Sequence, residues 1–288
     1  MLQSTTDGFV LGGAYALVAL GFVTLFNTTN FFNFAHGDFL TLGAYLAYTF
    51  KVTFNLAWPI ELLLVAVILG LVGLITERLT RSVVRRRALL VGAIATLGLG
   101  LIIRAVIQVV YGTDARSVPP LVSKPAVHVF GAALSYQQLI ILGFAVVVVV
   151  VLYWVYQHTF LGLILKATAE DPTAAQIMGV PTGRVVKAAF AVSAALAGLA
   201  GAFLVSEFSA SLEFGYLIVF IAVVGAMVGG FGSLVGAVIG CLIVGIVQVD
   251  ASYLINANYQ NIAVYGLLVL LFIVRPVGIF GTRLVEKV

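Results

Sequence analysis

The chain has 288 residues, of which 62% are hydrophobic and only 9% charged. Soluble domains carry roughly a quarter of their residues as charges, and a water-soluble core built from one such chain cannot hide so many apolar side chains. A cytosolic enzyme, a disordered chain and a nucleic-acid binder are excluded, and the net charge of +4 reads as membrane topology, not as a surface for nucleic acid.

The N-terminal stretch Met1–Asp7 has no Lys or Arg, so it lacks the charged region of a secretory signal and the first apolar segment is expected to stay as a span. A transmembrane helix needs about 20 apolar residues to cross roughly 30 Å of hydrocarbon. On that rule the spans are Gly8–Phe26, Phe34–Phe50, Ala57–Thr76, Ala88–Tyr111, Gln137–Tyr156, Val185–Ser206, Tyr216–Phe231, Leu234–Gln248 and Asn261–Val274. The second is interrupted near its start by Asn33, His36, Gly37 and Asp38. The seventh and eighth are short, with Gly229-Gly-Phe-Gly-Ser233 between them. The expected fold is an all-α polytopic bundle with broken and short helices and about eight or nine crossings. No soluble domain interrupts it, because Gly112–Tyr136 and Gln157–Arg184 are too short to fold alone.

Of the 15 Lys and Arg residues, eleven cluster on one side when the spans alternate: Arg78, Arg81 and Arg85–Arg87, Lys166, Arg184 and Lys187, and Arg275, Arg283 and Lys287. Lys51, Arg116 and Lys124 lie opposite, and Arg104 falls within a span, where it is expected to snorkel to the outer surface. The positive-inside bias puts the N-terminus outside and the C-terminus in the cytoplasm. Glu77 is expected to pair locally.

Gly225, Gly229, Gly232, Gly236 and Gly240 recur at three- or four-residue spacing, read here as one helical face for close packing in lipid. The break at Gly232-Ser233 could instead line a path. Asn33, His36 and Asp38 admit two readings: polar groups facing a cavity at a broken helix, or interfacial residues capping one. The cytoplasmic segment Lys166–Arg184 is more specific. Asp171 suits an N-cap and Pro172 the first helical turn. Ala174, Ala175, Ile177 and Met178 follow, and Gly179 ends the helix. Two turns are too short to be stable alone, so their apolar residues call for a partner protein. The segment carries too few Lys and Arg for a helix lying on lipid headgroups.

The chain has no phosphate-binding Gly-x-x-x-x-Gly-Lys-Ser/Thr loop, no Gly-x-Ser-x-Gly elbow and no His-Glu-x-x-His. His36, His128 and His158 are too far apart to suggest a metal site, and the lone Cys241 allows neither a disulfide nor a cysteine metal centre. No enzyme and no metal is expected.

Several motifs in order carry a resemblance. They are Gly13–Gly21, Asn33-Phe-Ala-His-Gly-Asp-Phe39 with Leu42–Tyr45, Ala95–Gly98, Ala167–Gly179, Ala194–Gly201, Gly229–Ala237 and Arg275-Pro-Val-Gly-Ile-Phe-Gly281. Together they resemble the LivH-type permeases of branched-chain amino acid ABC importers, nearly end to end. Lys166 stands where that family often has Arg. The resemblance implies a single permease domain over residues 1–288 in a prokaryotic inner membrane. It implies no cofactor of its own, with ATP and Mg used by partner subunits. The implied partners are a second, LivM-like permease, two ATP-binding subunits and an extracytoplasmic solute-binding protein. Segment 166–184 falls where the family's coupling helix docks on the ATPase, so Glu170, Asp171, Ala174, Ala175, Met178, Gly179 and Arg184 are the coupling candidates. Asn33, His36, Asp38, Gly232 and Ser233 are the substrate-path candidates. Closure of the ATPases would then push on Asp171–Met178 and tilt the bundle. Relatives of this family also carry urea, amides or aromatic and other organic acids, and a stand-alone secondary transporter or channel is the competing class.

Overall fold

The computed structural model describes residues 2–85, 89–120, 127–129, 132–275 and 277–281. Arg86, Arg87, Lys124, Arg283, Lys287 and Pro276 lie outside the described residues. Eleven helices are found among the described residues: α1 (Leu2–Thr29), α2 (His36–Tyr48), α3 (Trp58–Arg85), α4 (Leu89–Tyr111), α5 (Tyr136–His158), α6 (Phe160–Glu170), α7 (Pro172–Ile177), α8 (Thr182–Leu204), α9 (Phe214–Gly229), α10 (Leu234–Leu254) and α11 (Gln260–Val274). One π-helical turn, Thr49–Thr53, prolongs α2, and a 3-10 turn, Ala257–Tyr259, leads into α11. Among the described residues seven helical stretches are long and apolar enough to cross a membrane, the last formed by the 3-10 turn together with α11, while α9 has 16 residues and α2 13. The bundle is therefore polytopic and all-α in its spans.

One sequence expectation changes, and two elements appear that the sequence did not announce. The eighth span is not short: α10 runs 21 residues, past Gln248 and through Asp250 to Leu254, because polar Gln248 and Asp250 do not end a helix that neighbouring helices pack. The connector before α5 holds a small antiparallel hairpin, β1 (Val127–Val129) and β2 (Ala132–Leu134). The stretch after α5 holds the amphipathic α6, capped by Thr159, whose Oγ1 accepts from Gly162 N at 3.3 Å.

α1 is apolar all round, and its middle is sealed on every side; Leu17, Ala19, Leu20 and Val23 have no exposure. It lies antiparallel along α10, with Gly8 against Ile246 and Gly12 against Leu242. α3 lies antiparallel along α8 in the same way, Gly73 meeting Phe190 and Gly198 meeting Leu69. Exchanging α1–α4 with α8–α11 maps the first pairing onto the second, and the two sets run in opposite directions, the arrangement of an inverted repeat. α4 and α11 turn their apolar side chains outward, with Leu90, Val109, Ile273 and Val274 exposed.

The five glycines of the sequence stripe do not share one face. Gly225 and Gly229 belong to α9, Gly236 and Gly240 to α10, and they face each other across the hairpin these helices form, Gly229 against Gly236 and Gly240 against Gly225. Gly232 sits in the turn. Backbones this close gain dispersion contacts that larger side chains would prevent.

Two ends of the bundle are distinguishable. Gln3, Asp7, Arg116, Ala133, Ser135, Glu207 and Ala210 gather at one; Gln3 Nε2 bonds Ala133 O at 3.1 Å, and Arg116 and Ala210 exchange backbone bonds of 2.9 and 2.7 Å. Asn27, Asn30, Glu77, Arg81, α7 and the α9–α10 turn gather at the other.

Candidate functional site

α7 is held by its flanks more than by its own length. Asp171 Oδ1 accepts from Thr173 N at 2.8 Å and Ala174 N at 3.1 Å, so the cap predicted by the sequence is present, with Pro172 in the first turn. At the other end Met178 N donates to Ala174 O and Val180 N to Ala175 O, and Gly179 takes φ +85°, which a residue with a side chain rarely adopts. Ala175 is buried, and Gln176 Nε2 donates to Thr182 Oγ1 at 2.5 Å, tying the helix to the start of α8. Asn30 Nδ2 reaches from the end of α1 to Ala169 O at 2.9 Å. Lys166 Nζ donates to Gln157 Oε1 at 3.0 Å. Glu170, Asp171, Ala174, Gly179 and Arg184 are exposed. Ile177 and Met178 are 81% and 82% exposed. A partner that buried them would gain about 1.5–3 kcal/mol from each side chain.

The second region is the pair of short helices. After α1, Asn30 takes φ +50° and the chain runs non-helically from Phe31 before α2 begins inside the bundle. Asn33 is buried: its Oδ1 accepts from Ala35 N at 3.1 Å, while Nδ2 has no partner among the described residues. His36 is fully buried, with Nε2 3.2 Å from Val18 O. A carbonyl only accepts, so that ring nitrogen carries the proton, and Nδ1 lies 3.5 Å from Ser193 Oγ. Asp38 turns away toward α4, where Arg104 Nε and Nη2 donate to its Oδ1 at 3.2 and 3.0 Å.

α9 also begins inside the bundle, and its first turn meets that of α2. A Cβ on Gly215 would strike Gly37 O, Gly215 N donates to Thr41 Oγ1 at 3.0 Å, and Thr41 donates on to Gly37 O at 3.1 Å. At its far end α9 stops at Gly230 (φ +115°) and Gly232 (φ +100°). Gly232 O accepts from Asn27 Nδ2 at 2.7 Å, and Ser233 Oγ caps α10 by accepting from Gly236 N at 3.0 Å. Between the two breaks lies an aromatic cluster: Phe231 stacks on Phe32 at 5.5 Å and meets Phe26 edge-on at 4.6 Å, while Phe22 stands edge-on to His36. The structure thus puts His36 and Gly232 on opposite sides of one cluster. Asn33 lies beside the first break, and Asp38 is engaged elsewhere. Among the described residues no group of three or more His, Cys, Asp or Glu could hold a metal ion.

Residues 4–273 match the family described as branched-chain amino acid transport system / permease component. The chain belongs to this family. Over its full length it is 28% identical to the high-affinity branched-chain amino acid transport system permease protein LivH of Escherichia coli strain K12, covering 97% of that protein. It is 27% identical to BraD of Pseudomonas aeruginosa, covering all of this chain and 98% of BraD. It is 30% identical to a probable LivH of Methanocaldococcus jannaschii over 98% of this chain and 95% of that one. A solved structure, PsaBC from Streptococcus pneumoniae in complex with Fab, superposes with a TM-score of 0.50 at 12% identity, covering 92% of this chain and 90% of that one. That likeness concerns the fold alone.

In this permease-family chain Arg104 does not snorkel outward, against the sequence expectation. It is about 10 Å along α4 from Tyr111, at 1.5 Å per residue, and its guanidinium is held by Asp38. The signal was present: a charge within a span is usually paired by another one at depth. Nothing local marks the pair, because the partners are 66 residues apart. Glu77 pairs within its own helix, as expected, with Arg81 Nε at 2.9 Å. The links from Asn30 to Ala169 and from Gln176 to Thr182 carry no sequence signature.

Proposed function

We propose that this chain is the permease subunit of an ATP-driven importer for branched-chain amino acids, with α7 as the element through which ATPase subunits act on it. The observation that carries this reading is the pair Ile177 and Met178, over four-fifths exposed at the tip of a capped helix that is tied to α8 directly and to α1 by way of α6. A helix of six residues does not survive in water by itself. Its anchored ends and bare tip suit a lever seated in another protein. A push on α7 reaches α1 through Asn30 and Ala169, and α8 through Gln176 and Thr182. From there it reaches α10 and α3, which lie along those two helices.

In this reading residues 1–288 form one permease domain with 166–184 as the coupling segment. The α7 end faces the cytoplasm with the C-terminus, and the hairpin end with the N-terminus faces outward, in accord with the excess of Lys and Arg beside α7. The partners are a LivM-like second permease, two ATP-binding subunits that supply ATP and Mg, and an extracytoplasmic solute-binding protein. The chain itself takes no cofactor. Asn33, His36, Gly232 and Ser233 at the two breaks, with the aromatic cluster between them, are the substrate-path candidates. Asp38 enters only by positioning α2 against α4. The permease performs no chemistry; it requires only contacts that differ between two states.

The test is cross-linking. Met178→Cys in an otherwise cysteine-free chain (Cys241→Ser), co-expressed with the ATPase subunits, is expected to couple to a cysteine in their surface groove. The disulfide should stop uptake of labelled leucine, and reduction should restore it. If Met178→Cys couples to no ATPase subunit and leucine uptake persists without them, the importer reading fails and a stand-alone transporter replaces it.

A further inference from the structure

Beneath α7 lies a cavity of about 290 Å³, walled by the ends of α1 and α3 on one side and by α6, α7 and the start of α8 on the other. Its lining is rich in hydrogen-bond acceptors. The hydroxyls of Thr29 and Thr168 each donate to the carbonyl four residues back, to Leu25 and Ile164, both at 2.8 Å. They therefore offer the cavity oxygen lone pairs. Gln176 donates its Nε2 to Thr182, which leaves Oε1 to accept. The Glu77 carboxylate adds a buried negative charge. Against these acceptors stands one cation: Arg81 holds Glu77 with its Nε and Nη2, both at 2.9 Å. The planar guanidinium leaves its Nη1 edge pointing away from that pair.

A site with several acceptors beside a carboxylate–guanidinium pair matches a molecule carrying an ammonium and a carboxylate on neighbouring atoms. We propose that this cavity binds a small zwitterionic α-amino acid, and that its occupancy holds α7 against α1 and α3 and slows the transport cycle. The walls belong to elements on both sides of the joints at Asp171 and Gly179. A movement of α7 relative to α1 and α3 therefore changes the cavity, and a ligand that fits one shape favours that state by its difference in affinity. The inference rests on the importer reading, because that reading supplies the cycle to be slowed. The amino acid on the cytoplasmic side would then limit its own uptake.

The experiment uses the complete transporter in proteoliposomes whose ATPase subunits face the bath, with leucine-loaded binding protein inside. L-leucine added to the bath is expected to lower stimulated ATP hydrolysis several-fold. 4-Methylpentanoate, which lacks the ammonium, and isopentylamine, which lacks the carboxylate, should leave the rate unchanged. Thr168→Val keeps the shape and removes one acceptor. It is expected to raise the half-inhibitory leucine concentration about tenfold, the change that follows from losing roughly 1.4 kcal/mol of binding, with the uninhibited rate retained. Arg81→Gln should do the same through the carboxylate. Stimulated hydrolysis that is indifferent to bath leucine overturns the inference and leaves the importer reading standing. Equal inhibition by isopentylamine, or an unchanged half-inhibitory concentration in both variants, overturns it as well. A complex that shows no stimulated hydrolysis overturns the importer reading itself.

Discussion

The Asp38–Arg104 pair offers a sharp test of what a charge at depth does here. Asp38 is 7% exposed, the Arg104 side chain 28%, and both donor bonds converge on one carboxylate oxygen. Removing one partner of a buried ion pair costs about 3–5 kcal/mol, because the other charge is left without compensation. Arg104 keeps some access to its surroundings, so Asp38→Leu belongs at the lower end, about 3 kcal/mol. Arg104→Met leaves the more deeply buried carboxylate unpaired and should cost at least as much. The double variant Asp38→Leu/Arg104→Met replaces the pair with apolar volume, which is often neutral or stabilising, and is expected to recover most of the loss. The assay is reversible unfolding in mixed micelles, followed by far-UV circular dichroism, with a double-mutant cycle giving the coupling. Effects that add within about 0.5 kcal/mol would refute the view that the two side chains form one energetic unit. Leucine uptake by the double variant separates the remaining roles: retained uptake makes Asp38 a structural pin between α2 and α4, and abolished uptake in a stable protein returns it to the solute path.

Gly215→Ala places a methyl group against the Gly37 carbonyl. Backbone meets backbone there, so neither side yields by rotating a side chain, and the variant should lose about 1–3 kcal/mol in the same unfolding assay. Asp171→Ala removes the acceptor for two backbone N–H groups of α7. It should cost about 1 kcal/mol locally, seen as faster amide exchange at Thr173 and Ala174 with the transition of the whole bundle unmoved.

Much of the architecture could be read along the chain because its cause is local. Apolar runs long enough to cross a bilayer must form helices, since hydrocarbon offers no other partner to backbone N–H and C=O groups. The capped helix at Asp171–Met178 was readable for the same reason: an N-cap, a proline in the first turn and a glycine past the end act within a few residues. Glu77 with Arg81 is one helical turn. Where the reading missed, the deciding contact came from elsewhere. α10 continues through Gln248 because Tyr15 Oη donates to its Oε1 at 2.8 Å from α1. Arg104 stays within the bundle because α2 brings Asp38 to it. The glycines of α9 and α10 divide between two facing helices because Gly230 and Gly232 reverse the chain between them.

By itself, then, the sequence determined that this protein lives in a membrane as a bundle of helices, where the bundle breaks, and that a short polar-capped helix projects at one end. Hydropathy, periodicity and capping are properties of neighbouring residues and need no fold to be seen. Only the tertiary structure decided that α2 and α9 meet at Gly37 and Gly215, that Asp38 answers Arg104, and that a polar cavity lies between α7 and the ends of α1 and α3. Those are meetings of residues separated by tens to hundreds of positions. Their energies exist only once close packing has brought the helices together.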